Sequence, residues 1–221
     1  MVDVPTLSSS RHLSKVALYA RWAPEAYRAF QHFQQASFKE GALSVREKEL
    51  IAVGCAHVLR CPYCIDHHVK LALGAGATRK EMAESVWVAV AMGAGACFAH
   101  SAIAANILEG RGDDYYARAG LQAERAPFAE LVPEAQDAYA ALETAAFQEG
   151  ALPRALKELV AVACAHNTRC PICIDAHVGR ALSLEIPRAR IAEAVWVAIE
   201  MGAGACLGHA GLTAALLEEG C

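Results

Sequence analysis

Aromatic side chains make up only 7% of this 221-residue chain although 55% of it is hydrophobic, so its apolar content is mostly Ala, Leu and Val. That mix suits tightly packed helices and argues against sheets, which favour β-branched and aromatic residues. No block of Lys or Arg occurs, and the net charge is -4 with a pI near 6.1. The chain therefore lacks the electrostatic footprint of a nucleic-acid or anionic-membrane partner. Met1 to Lys15 lacks the apolar stretch of a secretory signal, so a cytoplasmic location is expected. The longest apolar run, Val86 to Ala99, is too short to span a bilayer and contains Gly93 and Gly95; it and its twin starting at Val195 read as buried helices. Nothing alternates in the manner of a strand.

Cysteine, by contrast, is abundant, with nine residues. Cytosolic thiols are kept reduced, so nine of them point to redox chemistry, metal binding or packing rather than to a disulfide framework. Their positions follow a repeat. Sliding the sequence by 109 residues aligns Glu40-Gly41-Ala42-Leu43 with Glu149-Gly150-Ala151-Leu152, Cys55-Ala56-His57 with Cys164-Ala165-His166, and Trp87 with Trp196. Met92 to Cys97 falls on Met201 to Cys206 in the same register. An ungapped offset held over about 90 residues marks a duplicated structural unit. The Arg-, Asp- and Gly-rich stretch from Gly110 to Pro127 reads as the linker, with units over 1–115 and 116–221. The first 20 residues have no counterpart and are expected to pack on the first unit.

Each unit reads as helical throughout. A first helix is predicted from Pro24 to Phe38, since Ala26, Ala29, Phe30 and Phe33 recur at helical spacing. Ser44 with Glu47 forms a capping-box pattern that opens a second helix to about Leu59, and Pro153 takes the Ser44 position in the copy. Pro62 and Pro171 cannot continue a helix but fit the first turn of a new one, running in the first unit to about Leu73. A last long helix, interrupted at its glycines, covers Arg79 to Leu108 and Arg188 to Leu217.

The candidate chemistry lies at Glu49, Cys61, Cys64 and His68, repeated in register as Glu158, Cys170, Cys173 and His177. The cysteines and the histidine of each unit are three and four apart, on one stripe at a helix start. A thiol there meets unpaired N–H groups and the positive end of the helix dipole, both of which favour thiolate. A nearby His can take the proton, and two sulfurs one turn apart can pass an oxidising equivalent through a sulfenic acid or mixed disulfide to an internal disulfide. If the second helix folds back, Glu49 can orient His68 as the third member of a nucleophile–base–carboxylate set. His57 and His166, four residues before the first Cys, are further candidates for the pocket.

These residues carry a resemblance. The pattern Glu-x11-Cys-x2-Cys-x3-His, through Cys61-Pro62-Tyr63-Cys64-Ile65-Asp66-His67-His68 and again through Cys170, Cys173 and His177, is similar to the AhpD-like alkyl hydroperoxidase branch of the carboxymuconolactone decarboxylase superfamily. The resemblance implies an all-α fold of two tandem AhpD-like units packed as an internal pseudo-dimer, and a homo-oligomer. It implies reduction of hydroperoxides through dithiol/disulfide cycling, with a Glu/His proton relay, Cys64 and Cys173 attacking, and Cys61 and Cys170 resolving. No bound cofactor or metal is implied; the electrons come from an external dithiol, dihydrolipoamide on a lipoylated protein or a thioredoxin-like protein. Two other readings stand beside it: a redox-switched scaffold or sensor without turnover, and a lactone enzyme of the decarboxylase kind, which would not need the Cys pair.

The remaining residues have blander expectations. Structural zinc on two thiolates and a His is disfavoured because three ligands within a turn and a half strain a closed tetrahedral site. Cys55, Cys97, Cys164 and Cys206 are expected in the core, and His100 and His209 as buried, hydrogen-bonded residues. Trp87 and Trp196 read as core or interface anchors, His67 as a surface residue, and Lys48, Arg60 and Arg169 as solvated, with the two Arg residues placed to lower the pKa of the neighbouring Cys.

Overall fold

The structure is a computed structural model that describes residues 10–108 and 130–219, and among them every regular element is a helix. We label them α1 (Ser10–Lys15), α2 (Ala17–Trp22), α3 (Pro24–Phe38), α4 (Val45–Val58), α5 (Pro62–Gly74) and α6 (Arg79–Leu108). The second unit contributes α7 (Pro133–Phe147), α8 (Arg154–Asn167), α9 (Pro171–Ser183) and α10 (Arg188–Glu219). Local chemistry accounts for the boundaries. Pro24, Pro62, Pro133 and Pro171 each sit in the first turn, where a missing N–H costs nothing. Ser44 and Glu47 cap each other's backbone N–H groups at the start of α4, and Pro153 occupies the N-cap of α8 without a side-chain cap. The expected break at the glycines does not occur: α6 and α10 run through Gly93, Gly95, Gly202 and Gly204.

The core lies at the crossing of the two units. Leu50, Ile51, Ala52, Val53, Cys55 and Ala56 of α4, and Leu159 to Ala165 of α8, are fully buried. α4 and α8 lie against each other with α6 and α10 packed on both. Each fully buried Leu or Ile removes enough surface from water to contribute roughly 2 kcal/mol. Gly54 sets how closely the helices cross, because a Cβ there would come 2.7 Å from Val160 Cγ1. Cys55 and Cys164 meet at this crossing, and their mutual hydrogen bond, with burial, pushes the Cys164 thiol well above its ordinary range.

A reciprocal interlock joins the units. Glu193 of α10 accepts hydrogen bonds from Ala42 N and Leu43 N, both at 2.8 Å, and pairs with Lys48 Nζ at 3.0 Å. Its repeat-mate Glu84 of α6 does the same for Ala151 N, Leu152 N and Lys157 Nζ. The glycines of the repeated Glu-Gly-Ala-Leu segments are explained by this contact, since a Cβ on Gly41 or Gly150 would lie 2.2 Å or 2.5 Å from the incoming carboxylate. Burial would raise the pKa of both glutamates, yet the backbone N–H groups and the Lys partners hold them below the ordinary carboxylate range.

Several expectations are corrected. Lys48 is not solvated but 2% exposed, because its ammonium is taken up by Glu193 and by the Lys39 carbonyl at 2.7 Å. α1 packs on α10, the long helix of the second unit, rather than on the first unit alone, with Lys15 pairing with Glu218. Cys55 and Cys164 are core residues as expected, but Cys97 and Cys206 are exposed, each in the lining of a cleft. Trp87 and Trp196 are more than half exposed, so they are not core; Trp196 meets the edge of Phe33. By length and composition both long helices could cross a bilayer, which the shorter apolar run alone would not allow, while one face of each packs on α4 and α8. The expected linker and the boundary near 115 lie outside the described residues.

Candidate active site

Each site is built at one sharp change of direction. α4 ends at Val58, Arg60 takes φ +54° in the left-handed region, and the chain re-enters a helix with Cys61 as N-cap and Pro62 in its first turn. Arg169, at φ +56°, makes the same turn before Cys170. Left-handed backbone is unfavourable for a residue with a Cβ, on the order of 1 kcal/mol, and here it aims the first Cys of each pair at the start of a helix. Cys61 Sγ then accepts from Cys64 N at 3.2 Å, and Cys170 Sγ from Cys173 N at 3.3 Å. The sulfur thus fills the role that a Ser or Asp oxygen plays at an ordinary N-cap.

The fold brings the rest of the predicted constellation together. Glu49 Oε2 accepts from His68 Nδ1 at 2.8 Å, and Glu158 Oε2 from His177 Nδ1 at 2.8 Å. Both carboxylates and both rings are buried. The imidazoles stack on Phe38 and Phe147 with ring centroids 5.4 Å apart in each case. A neutral ring that donates through Nδ1 to the carboxylate carries its lone pair on Nε2, the tautomer a general base needs.

The pairs occur in two states. Cys61 and Cys64 form a disulfide with Cα atoms 5.3 Å apart, while Cys170 and Cys173, on near-identical backbone, are not joined by one. That separation lies within the range a disulfide needs without moving the chain. In the second pair a hydrogen bond from the Cys173 thiol, followed by backbone N–H groups and His100, outweighs burial and brings the Cys170 pKa down to about 6. The expected role of Arg169 is replaced by these groups.

Each dithiol opens on a cavity closed by the other unit's long helix. The first, about 250 Å³, is lined by Cys64, His67 and His68 with Glu200, Met201 and Gly204 of α10, and Leu13 of α1 and Val16, the N-cap of α2, also line it. The second, about 370 Å³, is lined by Cys173 and His177 with Met92 and Gly95 of α6, Tyr139 of α7, and Arg180. In both, the second Cys lines the cavity and the first Cys does not. His67 is exposed as expected but stands in the first cavity's wall, edge-on to His68 at 5.0 Å.

His57 and His166 do not join the dithiol cavities. Their Nδ1 atoms pair with the Val53 and Val162 carbonyls one turn back, at 2.7 Å and 2.8 Å, which turns them to separate clefts. His100 and His209 likewise bond to helix carbonyls, but neither is buried.

Sequence reasoning missed the residues that distinguish the sites, because they stand where the repeats differ. Arg154, opposite Val45, donates to Glu158 Oε1 at 2.6 Å and 3.0 Å. Burial would raise the Glu158 pKa, but His177 and Arg154 hold it below the ordinary range. Arg180, opposite Leu71, lies 3.3 Å from His177 Nδ1. The first site has neither arginine and instead has Glu200, opposite Ala91, and Tyr63, opposite Ile172. A difference between copies was the available signal.

Comparison with known proteins places the duplication in a family. The model described as Carboxymuconolactone decarboxylase family matches residues 24–106 and again residues 133–216. The chain is 47% identical over 81 residues to the Uncharacterized protein 4 in cox locus of Paracoccus denitrificans, covering 37% of this chain and 73% of that protein. It is 42% identical over 72 residues to an uncharacterized protein of Cupriavidus necator, covering 33% of this chain and 64% of that one.

Proposed function

From the premise that the chain belongs to the carboxymuconolactone decarboxylase family in both of its halves, we propose that it is a thiol peroxidase of the AhpD-like kind, reducing organic hydroperoxides or hydrogen peroxide. The observation that carries this reading is the buried Glu–His pair held at 2.8 Å beside a Cys-x-x-Cys helix cap, built twice. In the reduced site the Cys170 sulfur holds negative charge and accepts the Cys173 S–H. Proton removal by His177, whose charge Glu158 balances, frees the cavity-lining Cys173 sulfur as nucleophile. It attacks the terminal oxygen of the hydroperoxide, the O–O bond breaks, and Cys173 becomes a sulfenic acid while the departing alkoxide takes a proton to leave as an alcohol. Cys170 then attacks the sulfenic sulfur, water leaves, and the disulfide closes as the first site already holds it. An external dithiol returns two electrons and two protons and is itself oxidised to a disulfide.

The reductant in this proposal is dihydrolipoamide on a lipoylated protein or a thioredoxin-like protein, and the cytoplasm, which keeps such dithiols reduced, is the compartment it fits. Exposed Trp87 and Trp196 support a homo-oligomer. Replacing Cys64→Ser together with Cys173→Ser is expected to abolish peroxide consumption, while either change alone leaves part of it. Full activity in the double variant would refute the assignment, and a lactone reaction surviving loss of all four motif cysteines would assign the decarboxylase chemistry instead.

A further inference from the structure

Glu200 is 1% exposed, and its Oε2 has no hydrogen-bond partner. A buried carboxylate without a partner is costly unless it holds a proton or meets a ligand. It belongs to α10 of the second unit yet lines the cavity of the first site, beside Cys64 and His68. Tyr63, whose buried hydroxyl also lacks a partner, lines the same cavity. The repeat puts Ala91 and Ile172 at these positions in the second site; the acid that lines the second cavity, Glu143, is partly exposed and pairs with Arg180 at 3.6 Å, so among the described residues only the first site faces a buried carboxyl with an unpartnered oxygen.

Resting on the peroxidase reading, we propose that Glu200 completes the first site across the unit boundary as its proton donor, delivering a proton to the alkoxide that leaves when Cys64 attacks an alkyl hydroperoxide. The groups facing it support the assignment. From α5 come His68, His67, Cys64 and Tyr63, from α4 comes Glu49, and no Lys or Arg lines the cavity. Burial pushes the Glu200 pKa up to about 7, with His68 pulling it down and Glu49 adding to the rise. The carboxyl therefore keeps its proton to a higher pH than an ordinary glutamate, up to about 7.

The atoms balance without a further reagent. His68 takes the Cys64 proton, the thiolate sulfur bonds to the terminal oxygen, the O–O bond breaks, and the electron pair stays on the alkoxide oxygen. Glu200 gives that oxygen its proton, becomes a carboxylate, and is reprotonated by solvent in the next cycle. His68 alone would have to serve as base and acid in turn; Glu200 separates the two tasks. The second site has no such buried acid: Arg154 sits on Glu158, and the Glu143 carboxyl in its cavity is held by Arg180.

The leaving group provides a test. An alkoxide is a strong base and needs the proton, whereas a peroxy acid releases a carboxylate that does not. Two single-site enzymes are made, one through Cys170→Ser with Cys173→Ser and one through Cys61→Ser with Cys64→Ser, and Glu200→Gln is added to each. In the enzyme retaining the first site, Glu200→Gln is expected to slow reduction of an alkyl hydroperoxide about a hundredfold, to leave a peroxy acid within about twofold, and to remove a fall in rate that otherwise sets in as pH rises through about 7. In the enzyme retaining the second site it changes neither rate. Equal slowing of both oxidants, or an unchanged pH profile, overturns the donor role while leaving the peroxidase reading intact. Absence of turnover by either site with any oxidant removes the peroxidase reading and the donor role together. A protonated-carboxyl infrared band at pH 6 that vanishes in Glu200→Gln is the expected spectroscopic mark, and its absence contradicts the proposal without reference to turnover.

Discussion

The two dithiol sites share a backbone and a Glu–His–Cys set to within 0.1 Å in their hydrogen bonds, yet the titratable groups around them differ. The first sets a second carboxyl, Glu200, near the Glu49–His68 pair. The second places Arg154 on the carboxylate and Arg180 beside the imidazole. Duplication has therefore kept the geometry that makes a thiolate and its partner disulfide, and has varied the groups that supply or withhold a proton. Such a pair is an internal control: the same helices hold two versions of one site in one molecule.

The largest effect should come from what the sites share. In each single-site enzyme, replacing the imidazole, His68→Ala or His177→Ala, is expected to lower peroxide reduction by about a hundredfold or more, the usual contribution of a positioned base. Steady-state rates check this, and a loss confined to one half would break the claim that both sites use the same relay.

Next in size is the interlock that keeps the halves in register. Glu84→Gln with Glu193→Gln should destabilise the fold by about 1–3 kcal/mol per site at neutral pH, since buried Lys157 and Lys48 lose their carboxylate partners and keep only a backbone carbonyl each. Because both carboxyls have lowered pKa values when folded, their contribution is present above the unfolded range near 4.5 and is lost as pH falls through the folded values. Denaturant titrations of wild type and variant should therefore converge in acid and separate at neutrality.

Glu200 has the opposite sign. Its folded pKa is raised from 4.5 to about 7, so the native state holds its proton more tightly and stability declines as pH rises from about 4.5 to 7. Glu200→Gln should stabilise the protein above pH 7 by up to roughly 3 kcal/mol, as 1.36 kcal/mol per pKa unit implies, and should have little effect at pH 4. Thermal melts at the two pH values read this directly. The smallest effect sharpens the contrast: Arg154→Val, which installs the first unit's residue in the second, should cost about 1–2 kcal/mol and raise the Glu158 pKa, seen as a shifted pH dependence in the second-site enzyme alone.

Much of this was legible in the sequence, for reasons that can be named. Pro24, Pro62 and the Ser44–Glu47 box act locally, so helix starts follow from them alone. The 109-residue offset exposed the duplication, and identity between copies singled out Glu49, Cys61, Cys64 and His68. Long-range facts were not legible in this way. Lys48 reads as a solvated charge until Glu193 arrives from the other unit, and His57 reads as a pocket residue until the Val53 carbonyl claims its ring. Comparing copies for sameness also hid Glu200, Arg154 and Arg180, whose significance lies in having no match across the repeat. The crossing of the two units, which no local pattern encodes, decides which site each of the long-helix residues serves.

Repeated turnover at the paired sulfurs is the central claim, and counting alcohol formed per chain tests it most directly. The reduced protein is mixed with excess alkyl hydroperoxide and dihydrolipoamide, and the disulfides formed are mapped by mass spectrometry. The account predicts many alcohols per chain, with Cys61–Cys64 and Cys170–Cys173 as the bonds that form and reopen. A burst that stops at two alcohols per chain despite fresh reductant, or turnover with both pairs remaining as thiols throughout, would contradict it.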